Sequence, residues 1–219
     1  MSEPQAVLDT AKRLLRAGLV EGTSGNVSAR LPDGTVCLTP SSLPYETMAI
    51  DDLVICDLDG NVVDGERSPT SEKALHLACY RRHPEVGAVI HSHAVHATMF
   101  AVLREPIPAL IEEVVTYVGG DVPVAEYRMT GSDELGDEVA SHLGDRSAVL
   151  LASHGMVTVG RDPDEAFHTA AVVERTARIV WGARVLAEAM GTKAHELPAK
   201  VNADFAGVYS FVRTTWPRA

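Results

Sequence analysis

The sequence predicts a layered α/β sandwich with a mixed sheet whose early part is antiparallel. Two β-rich pieces flank a tight turn signal near residue 33, and helices with regular apolar spacing are interspersed with the later strands. The glycine fingerprint GxGxxG is absent, which disfavours a Rossmann array. A chain of 219 residues that is 46% hydrophobic can bury a sizeable core, so we predict one domain spanning 1–219.

The individual elements follow from local patterns in chain order. Residues 5–17 have one apolar face and predict an opening helix. Pro32-Asp33-Gly34 and Asp59-Gly60 each predict a hairpin turn. The predicted strands are 26–31, 35–39, 53–58, 61–63, 86–91 and 147–153, and the later helices are about 71–82 with Thr70 or Ser71 as N-cap, 94–103 and 163–190. Apolar positions of the last helix are predicted to be core: Ala166, Ala170, Val173, Ala177, Val180 and Trp181.

Composition excludes several classes of function. The formal charge is −11, with 30 acidic and 19 basic residues, so nucleic acid is not an expected partner. No apolar run approaches the roughly 18 residues of a membrane span, and the N-terminus lacks a signal-peptide pattern, so we expect a cytoplasmic protein with no membrane partner. Three cysteines without a CxxC pair, Cys37, Cys56 and Cys79, predict buried thiols.

The segment "AVIHSHAVH", residues 88–96, contains three histidines within six positions. If 86–93 is extended, His91 and His93 point to the same face, roughly 6.6 Å apart at ~3.3 Å per residue. His154 follows a second buried strand and could reach the same place, and three imidazoles suit zinc with one position open. An HxH pattern alone is weak, because single histidines are more often core or surface residues. We assign that role to His76, His83, His142, His168 and His195, and place His96 between the two roles.

Three segments rich in hydroxyl and amide donors could cradle an anion. They are "TSGN" at 23–26, "TPSS" at 39–42 and "PTSEKALH" at 69–76. Thr70 and Ser71 stand at a predicted helix N-terminus, where free amides and the helix dipole favour an anion. Each segment could equally be an ordinary turn. Glu72 could compensate the helix dipole, bind a metal or act as a general base.

Five motifs in a fixed order resemble the class II aldolase/adducin family, and most closely its L-fuculose-1-phosphate aldolase branch. They are "GLVEGTSGNVSARL", "LTPSSLPYE", "SPTSEKALH", "VGAVIHSHAVHAT" and "LLASHGMVTVG", within a likeness that runs from about residue 5 to 190. The resemblance implies a three-layer α/β/α sandwich with a central mixed, largely antiparallel sheet. It also implies a homotetramer of fourfold cyclic symmetry with active sites at subunit boundaries.

The resemblance implies a zinc enzyme that acts on a small phosphorylated sugar. It assigns one Zn²⁺ per subunit to Glu72, His91, His93 and His154, and the substrate phosphate to Asn26, Ser41, Ser42, Thr70 and Ser71. The expected reaction is reversible aldol cleavage of a ketose 1-phosphate to dihydroxyacetone phosphate and an aldehyde, with Glu72 also carrying a proton. Zinc makes an imine unnecessary, so Lys73 is not expected to be a nucleophile.

Two other reactions and one binding role remain as alternatives. The family includes sugar-phosphate 4-epimerases and 4-phospho-acid decarboxylases. The epimerases resemble this chain but carry aspartate where it has Glu72, which favours the aldolase. An adducin-like binding module with a vestigial metal is disfavoured because all four metal ligands are present.

Two further catalytic candidates come from the resemblance. The aldolase branch has a tyrosine in the segment before Gly119-Gly120, and that place holds Glu113 here, with Tyr117 one register shift away. A second family tyrosine lies in the C-terminal tail, where Tyr209 is the candidate. The tail from about 192 could complete a neighbouring active site. Alternatively, Tyr209 docks the tail by hydrophobic contact.

Overall fold

A single eight-stranded sheet organises the protein. The computed structural model describes residues 2–216. The strands are β1 (Asn26–Arg30), β2 (Val36–Leu38), β3 (Val54–Cys56), β4 (Val62–Asp64), β5 (Ala88–Ser92), β6 (Val124–Ala125), β7 (Ala148–Leu151) and β8 (Gly155–Gly160). The helices are α1 (Glu3–Arg16), α2 (Lys73–Arg82), α3 (Val95–Leu103), α4 (Glu112–Val118), α5 (Asp133–Leu143), α6 (Pro163–Met190) and α7 (Ala199–Arg213), with a short 3₁₀ turn at Ile50–Asp52.

The strand order is β4-β3-β2-β1-β5-β8-β7-β6. Neighbouring strands pair antiparallel except β6 and β7, which are parallel. Hairpins join β1 to β2, β3 to β4 and β7 to β8, because short turns suffice for antiparallel neighbours. The central pair β1 and β5 places Asn26 directly opposite His91, so these two residues lie on the same face of the sheet.

Helices cover both faces of the sheet. One apolar cluster joins α2 and α5 to one face, through side chains such as Leu75 and Val139. The other cluster joins α1, α3, α4 and α6 to the opposite face, through side chains such as Leu14 and Phe100. A sheet must bury both apolar faces, and these two layers do so. The predicted three-layer α/β/α sandwich with a mixed, largely antiparallel sheet is confirmed.

Local differences from the predicted elements have physical reasons. We did not predict β6, β8, α4, α5 or α7 from the sequence. The second helix begins at Lys73 with Glu72 at its N-cap, and neither Thr70 nor Ser71 holds that position. Thr70 and Ser71 instead belong to a turn, because the Lys73 N–H donates to the Thr70 carbonyl at 3.1 Å. Trp181 was wrongly assigned to the core: it is 47% exposed, whereas the other five predicted core residues of α6 are buried.

The C-terminal helix α7 docks on α4 of its own chain. Tyr209 makes this contact, since its ring packs where a side chain at Gly119 would otherwise stand. Gly119 ends α4 with a positive φ of 97°, a conformation that glycine adopts without strain. Within residues 2–216, no helix is both long enough and apolar enough to cross a bilayer.

Candidate active site

Two strand ends bring the three predicted histidines together. His91 lies near the end of β5, His93 follows that strand directly, and His154 lies in the turn between β7 and β8. Because β5 pairs with β8, the two ends meet. One nitrogen of each imidazole lies within 4.8 Å of the others. The cluster can therefore hold a metal ion.

The orientation of His91 is fixed by its outer nitrogen. Its Nδ1 donates to the carbonyl of Met156 at 3.0 Å, which turns Nε2 toward the cluster. That Nε2 lies 2.9 Å from Nε2 of His93 and 3.1 Å from Oε2 of Glu72. Burial lowers the pKa of His91 well below its ordinary value, and His154 and His93 lower it further. Burial and His154 also lower the pKa of His93. Neutral imidazoles have the lone pair that a metal requires.

Glu72 brings a carboxylate to the same cluster. It is 6% exposed, and its Oε2 accepts a hydrogen bond from Nδ2 of Asn26 at 3.0 Å. Its Oε1 lies 3.5 Å from Nε2 of His154 and, among the described residues, has no hydrogen-bond partner. A buried carboxylate oxygen without a partner is costly, so this site is built for a cation. Three imidazoles and one carboxylate fit a divalent metal such as zinc.

Two residues that sequence reasoning missed support the cluster. Gly155 lies against both strand-end histidines: a Cβ there would stand 2.5 Å from the Ser92 carbonyl oxygen and 2.9 Å from Cδ2 of His93. Glu174 of α6 accepts the backbone N–H groups of His96 and Ala97 at 3.0 and 2.9 Å, which anchors the start of α3 just after His93. The glycine after "SH" was the available signal for the first residue. None was evident for Glu174.

The three donor segments lie side by side near Glu72. The Thr39 N–H donates to the carbonyl of Val27, and the Thr70 N–H donates to the carbonyl of Thr39 at 3.1 Å. These bonds tie the start of β1 to 39–42 and to 69–72. The proposed phosphate-binding residues differ in exposure: Asn26 and Thr70 are buried, and Ser41, Ser42 and Ser71 are exposed.

The loop before Asn26 requires glycine. Gly25 has φ of 80°, and a Cβ there would lie 2.5 Å from Cγ1 of Val20 and 2.9 Å from the carbonyl oxygen of His91. The close approach of Gly25 to His91 positions the next residue beside Glu72. The glycine of "TSGN" therefore has a steric role.

Glu113 and Tyr209 have partners outside the histidine cluster. The carboxylate of Glu113 pairs with Arg175 of α6 at 3.0 Å. The hydroxyl of Tyr209 donates to the carbonyl of Asp145 at 2.8 Å and lies 2.8 Å from Oγ of Ser147. Burial raises the pKa of Tyr209. Catalytic roles for these two residues stay predictions, and each would require the side chain to leave these partners.

The family of the chain follows from this site and from comparison with known proteins. The sequence profile described as "Class II Aldolase and Adducin N-terminal domain" matches residues 5–181. The chain belongs to this family. The match includes all four candidate metal ligands and all the donor segments.

Relatives within the family carry two different activities. The L-ribulose-5-phosphate 4-epimerase UlaF of Salmonella paratyphi B (strain ATCC BAA-1250 / SPB7) is 40% identical over 192 residues, which cover 82% of this chain and 84% of that protein. A solved L-fuculose 1-phosphate aldolase is 35% identical with a TM-score of 0.87, covering 95% of this chain and 96% of the other. The l-fuculose-1-phosphate aldolase of Thermus thermophilus is 26% identical with a TM-score of 0.76, covering 84% and 95%.

The prediction of aldol cleavage of a ketose 1-phosphate is wrong in the light of these relatives. The 40% identity to a 4-epimerase over 82% of the chain supports epimerisation, the alternative reaction in the same family. The choice of aldolase relied on glutamate at Glu72 in place of aspartate. Glutamate and aspartate offer a metal the same carboxylate and differ by one methylene, so this position alone does not separate the reactions.

Proposed function

We propose that the protein is a metal-dependent sugar-phosphate 4-epimerase that acts on a phosphorylated pentulose such as L-ribulose 5-phosphate. The observation that supports this substrate class is the 40% identity to a 4-epimerase across most of both chains. The site supports it independently, because a carboxylate–histidine cluster adjoins three segments rich in anion donors.

Inversion at C4 of such a sugar can proceed by breaking and re-forming a carbon–carbon bond. The carbonyl is at C2, so the C4 hydrogen is not acidic and cannot simply be removed and returned. The hydroxyl at C4 can lose its proton while the C3–C4 bond breaks and its electron pair moves toward the C2 carbonyl. The two-carbon aldehyde then turns over, and the same bond re-forms on its other face. A 4-epimerase and an aldolase of one fold therefore share a bond-breaking step.

The ligands proposed for the metal are Glu72, His91, His93 and His154, and zinc is the metal we propose because this set is its common one. A bound divalent ion supplies Lewis acidity that stabilises negative charge on substrate oxygens. The pKa values of His91 and His93 are lowered, first by burial and then by His154, which favours the neutral imidazoles that a metal binds. Glu72 has a second proposed role, proton transfer through Oε1, which lacks a hydrogen-bond partner among residues 2–216.

The donor segments are proposed to hold the phosphate. The hydroxyls of Ser41, Ser42 and Ser71 are exposed beside the cluster, and Thr70 and Asn26 are buried behind them. Neutral donors next to a helix N-terminus can bind an anion in a protein of net charge −11. A pentulose 5-phosphate carries its phosphate on the two-carbon fragment. Holding this phosphate would keep the aldehyde in the site while it turns.

A product analysis tests the proposed reaction. Purified protein loaded with zinc is incubated with L-ribulose 5-phosphate, and the mixture is followed by NMR. We expect the C4 epimer to accumulate to equilibrium without free aldehyde or three-carbon ketone. Steady release of both fragments, or no change at C4, would contradict the proposal.

We also propose that the protein is a homotetramer with active sites at subunit boundaries. An exposed apolar face supports self-association: it comprises Val95, Met99, Val102 and Leu103 of α3 with Trp181, Val185, Leu186 and Met190 of α6. The ring of Trp181 lies 5.7 Å from that of His96, which places this face three residues from a metal ligand. Analytical ultracentrifugation should show a tetramer for the wild type and smaller species for Leu186→Glu. A monomeric wild type would contradict the assembly.

A further inference from the structure

A polar stripe runs down one face of α2 beneath the candidate metal centre. Glu72, His76 and Tyr80 are four residues apart, so they project from one side of the helix. They meet Asn26 and Ser28, which are two residues apart on β1 and therefore share a face of the sheet. All five side chains are buried, and His76 and Ser28 have no exposed surface. A row of five buried polar groups in an otherwise apolar layer requires an explanation.

The five side chains form one continuous chain of hydrogen bonds. From the metal centre inward, Asn26 Nδ2 lies 3.0 Å from Glu72 Oε2, and His76 Nε2 lies 2.5 Å from Asn26 Oδ1. Ser28 Oγ then lies 2.6 Å from His76 Nδ1 and 2.8 Å from the Tyr80 hydroxyl. Each member contacts the next, and the chain ends on one oxygen of the carboxylate.

The carboxylate sets the direction of every bond in this chain. Glu72 accepts, so the Asn26 amide donates to it and the Asn26 carbonyl must accept. His76 therefore carries its hydrogen on Nε2, and its Nδ1 accepts from the Ser28 hydroxyl. The Ser28 oxygen in turn accepts from Tyr80. Burial lowers the pKa of His76 to about 3, so the imidazole is neutral as this arrangement requires.

We propose that Asn26 and His76 are positioning residues that hold Glu72 Oε2 and so fix the carboxylate against the histidine cluster. The carboxylate of Glu72 has one oxygen fixed at 3.0 Å by Asn26 and the other without a partner in the described chain. Without the N–H of His76, the Asn26 amide could rotate and release Oε2. This role leaves Asn26 one further N–H, so it is compatible with phosphate binding. The inference rests on the metal centre of the proposed function and does not depend on which reaction occurs there.

The test uses Co²⁺ bound to the full-length protein, because its visible absorption reports ligand geometry. In His76→Leu the chain is interrupted, and we expect Co²⁺ to bind about 10- to 100-fold more weakly, with altered absorption bands. His76→Gln keeps an N–H donor and an acceptor and should restore most of the affinity and the wild-type bands. A folded His76→Leu protein with wild-type affinity and bands would overturn the proposal.

Leu77→Ala is the matched control, since Leu77 is the next residue on α2, is also buried and belongs to the apolar cluster on this face of the sheet. It should lower the thermal midpoint and leave the Co²⁺ affinity unchanged. An equal loss of affinity in Leu77→Ala and His76→Leu would show a general effect of packing and overturn the proposal. If His76→Leu does not fold, Ser28→Ala replaces it as the test of the hydrogen-bond chain. Weaker Co²⁺ binding by Ser28→Ala would support the proposal, and unchanged binding and absorption bands would overturn it. Failure here leaves the NMR test of epimerisation unaffected.

Discussion

The metal half of the candidate site comprises the proposed ligands Glu72, His91, His93 and His154, and the phosphate half comprises the proposed phosphate-binding residues in the donor segments. The two halves differ in how firmly the fold holds their side chains. In the metal half, Glu72 and His91 are buried, and hydrogen bonds from Asn26 and to Met156 fix one atom of each. In the phosphate half, Ser41 and Ser42 are exposed, and their hydroxyls contact each other at 3.3 Å. The fold fixes the metal ligands before substrate arrives, whereas the exposed hydroxyls can reorient.

The largest effect on turnover is expected from Glu72→Gln, because this residue lies in the metal half of the site. The amide oxygen is a weak ligand and His91, His93 and His154 remain, so the variant should retain metal. An amide has no basic form to accept a proton, and general acid–base catalysis contributes ~10² to 10⁴ in rate. We expect a loss of turnover of that size with about one metal per chain by elemental analysis.

A Glu72→Gln protein that retains both metal and rate would place the base elsewhere. Glu113 would then be the first candidate, and its ion pair with Arg175 would have to open. The matched control is Glu138→Gln, which alters a half-buried acidic side chain that pairs with Arg128 and does not belong to the proposed ligands.

Gly155→Ala should disturb the metal half without changing any ligand. The new methyl group would stand 2.9 Å from Cδ2 of His93 and 2.5 Å from the Ser92 carbonyl oxygen, so the strand end must move. We expect metal affinity to fall about 10- to 100-fold, measured by competition with a chelating dye. Gly182→Ala is the control: it lies in α6 with open space around it, so metal affinity should not change. Equal affinity in both variants would show that the histidines tolerate movement.

The metal half could be predicted from sequence because its pattern is local. His91 lies on β5 and His93 follows the end of that strand, and a spacing of two residues in extended chain places them on one face. Glu72 lies beside the cluster, where only the resemblance placed it, and its role as a metal ligand stays a prediction. The strand and helix patterns likewise predicted α6 at 163–190 without error, since Pro163 and Gly191 mark its two ends.

The remaining features depend on contacts that sequence spacing does not show. His76 was assigned to ordinary packing because its partner Asn26 is fifty residues away. The spacing of Glu72, His76 and Tyr80 by four residues is evident in the sequence. The position of β1 beside α2 is not, and it is this position that brings Asn26 and Ser28 into hydrogen-bond contact with them. The reaction was also predicted wrongly. Glutamate in place of aspartate at Glu72 was taken to distinguish an aldolase from an epimerase, but either carboxylate can bind the metal.

Ser71→Ala should affect the phosphate half selectively. Loss of one hydroxyl that donates to a charged phosphate is worth about 1.5–3 kcal/mol, so we expect KM for the phosphorylated sugar to rise about 10-fold or more. An unphosphorylated analogue should respond much less. Ser141→Ala is the control, since Ser141 is exposed outside the donor segments and its hydroxyl donates to the carbonyl of Glu138. An equal change for both sugars would exclude Ser71 from phosphate binding.

A further prediction concerns the pH dependence of stability. Burial lowers the pKa of His76 from 6.5 to about 3, so below pH 6.5 the unfolded chain binds a proton that the folded chain does not. The contribution of neutral His76 to the free energy of unfolding is therefore complete above pH 6.5 and is lost as pH falls toward 3. The free energy of unfolding changes by at most about 1.4 kcal/mol per pH unit in this range. Denaturant unfolding of metal-free protein should show this slope reduced in His76→Gln. Identical slopes would mean that His76 is protonated in the folded state.

The central claim is that the cluster of Glu72, His91, His93 and His154 binds the metal that the reaction requires. Its most direct test is a joint titration. Protein freed of metal with a chelator is titrated with Zn²⁺ while bound metal and C4 epimerisation of L-ribulose 5-phosphate are measured on the same samples. We predict that the rate rises in proportion to bound zinc up to one per chain, and that His91→Ala shows neither tight binding nor activity while His83→Ala behaves as wild type. Full epimerisation by metal-free protein, or unchanged zinc binding by His91→Ala, would contradict the claim.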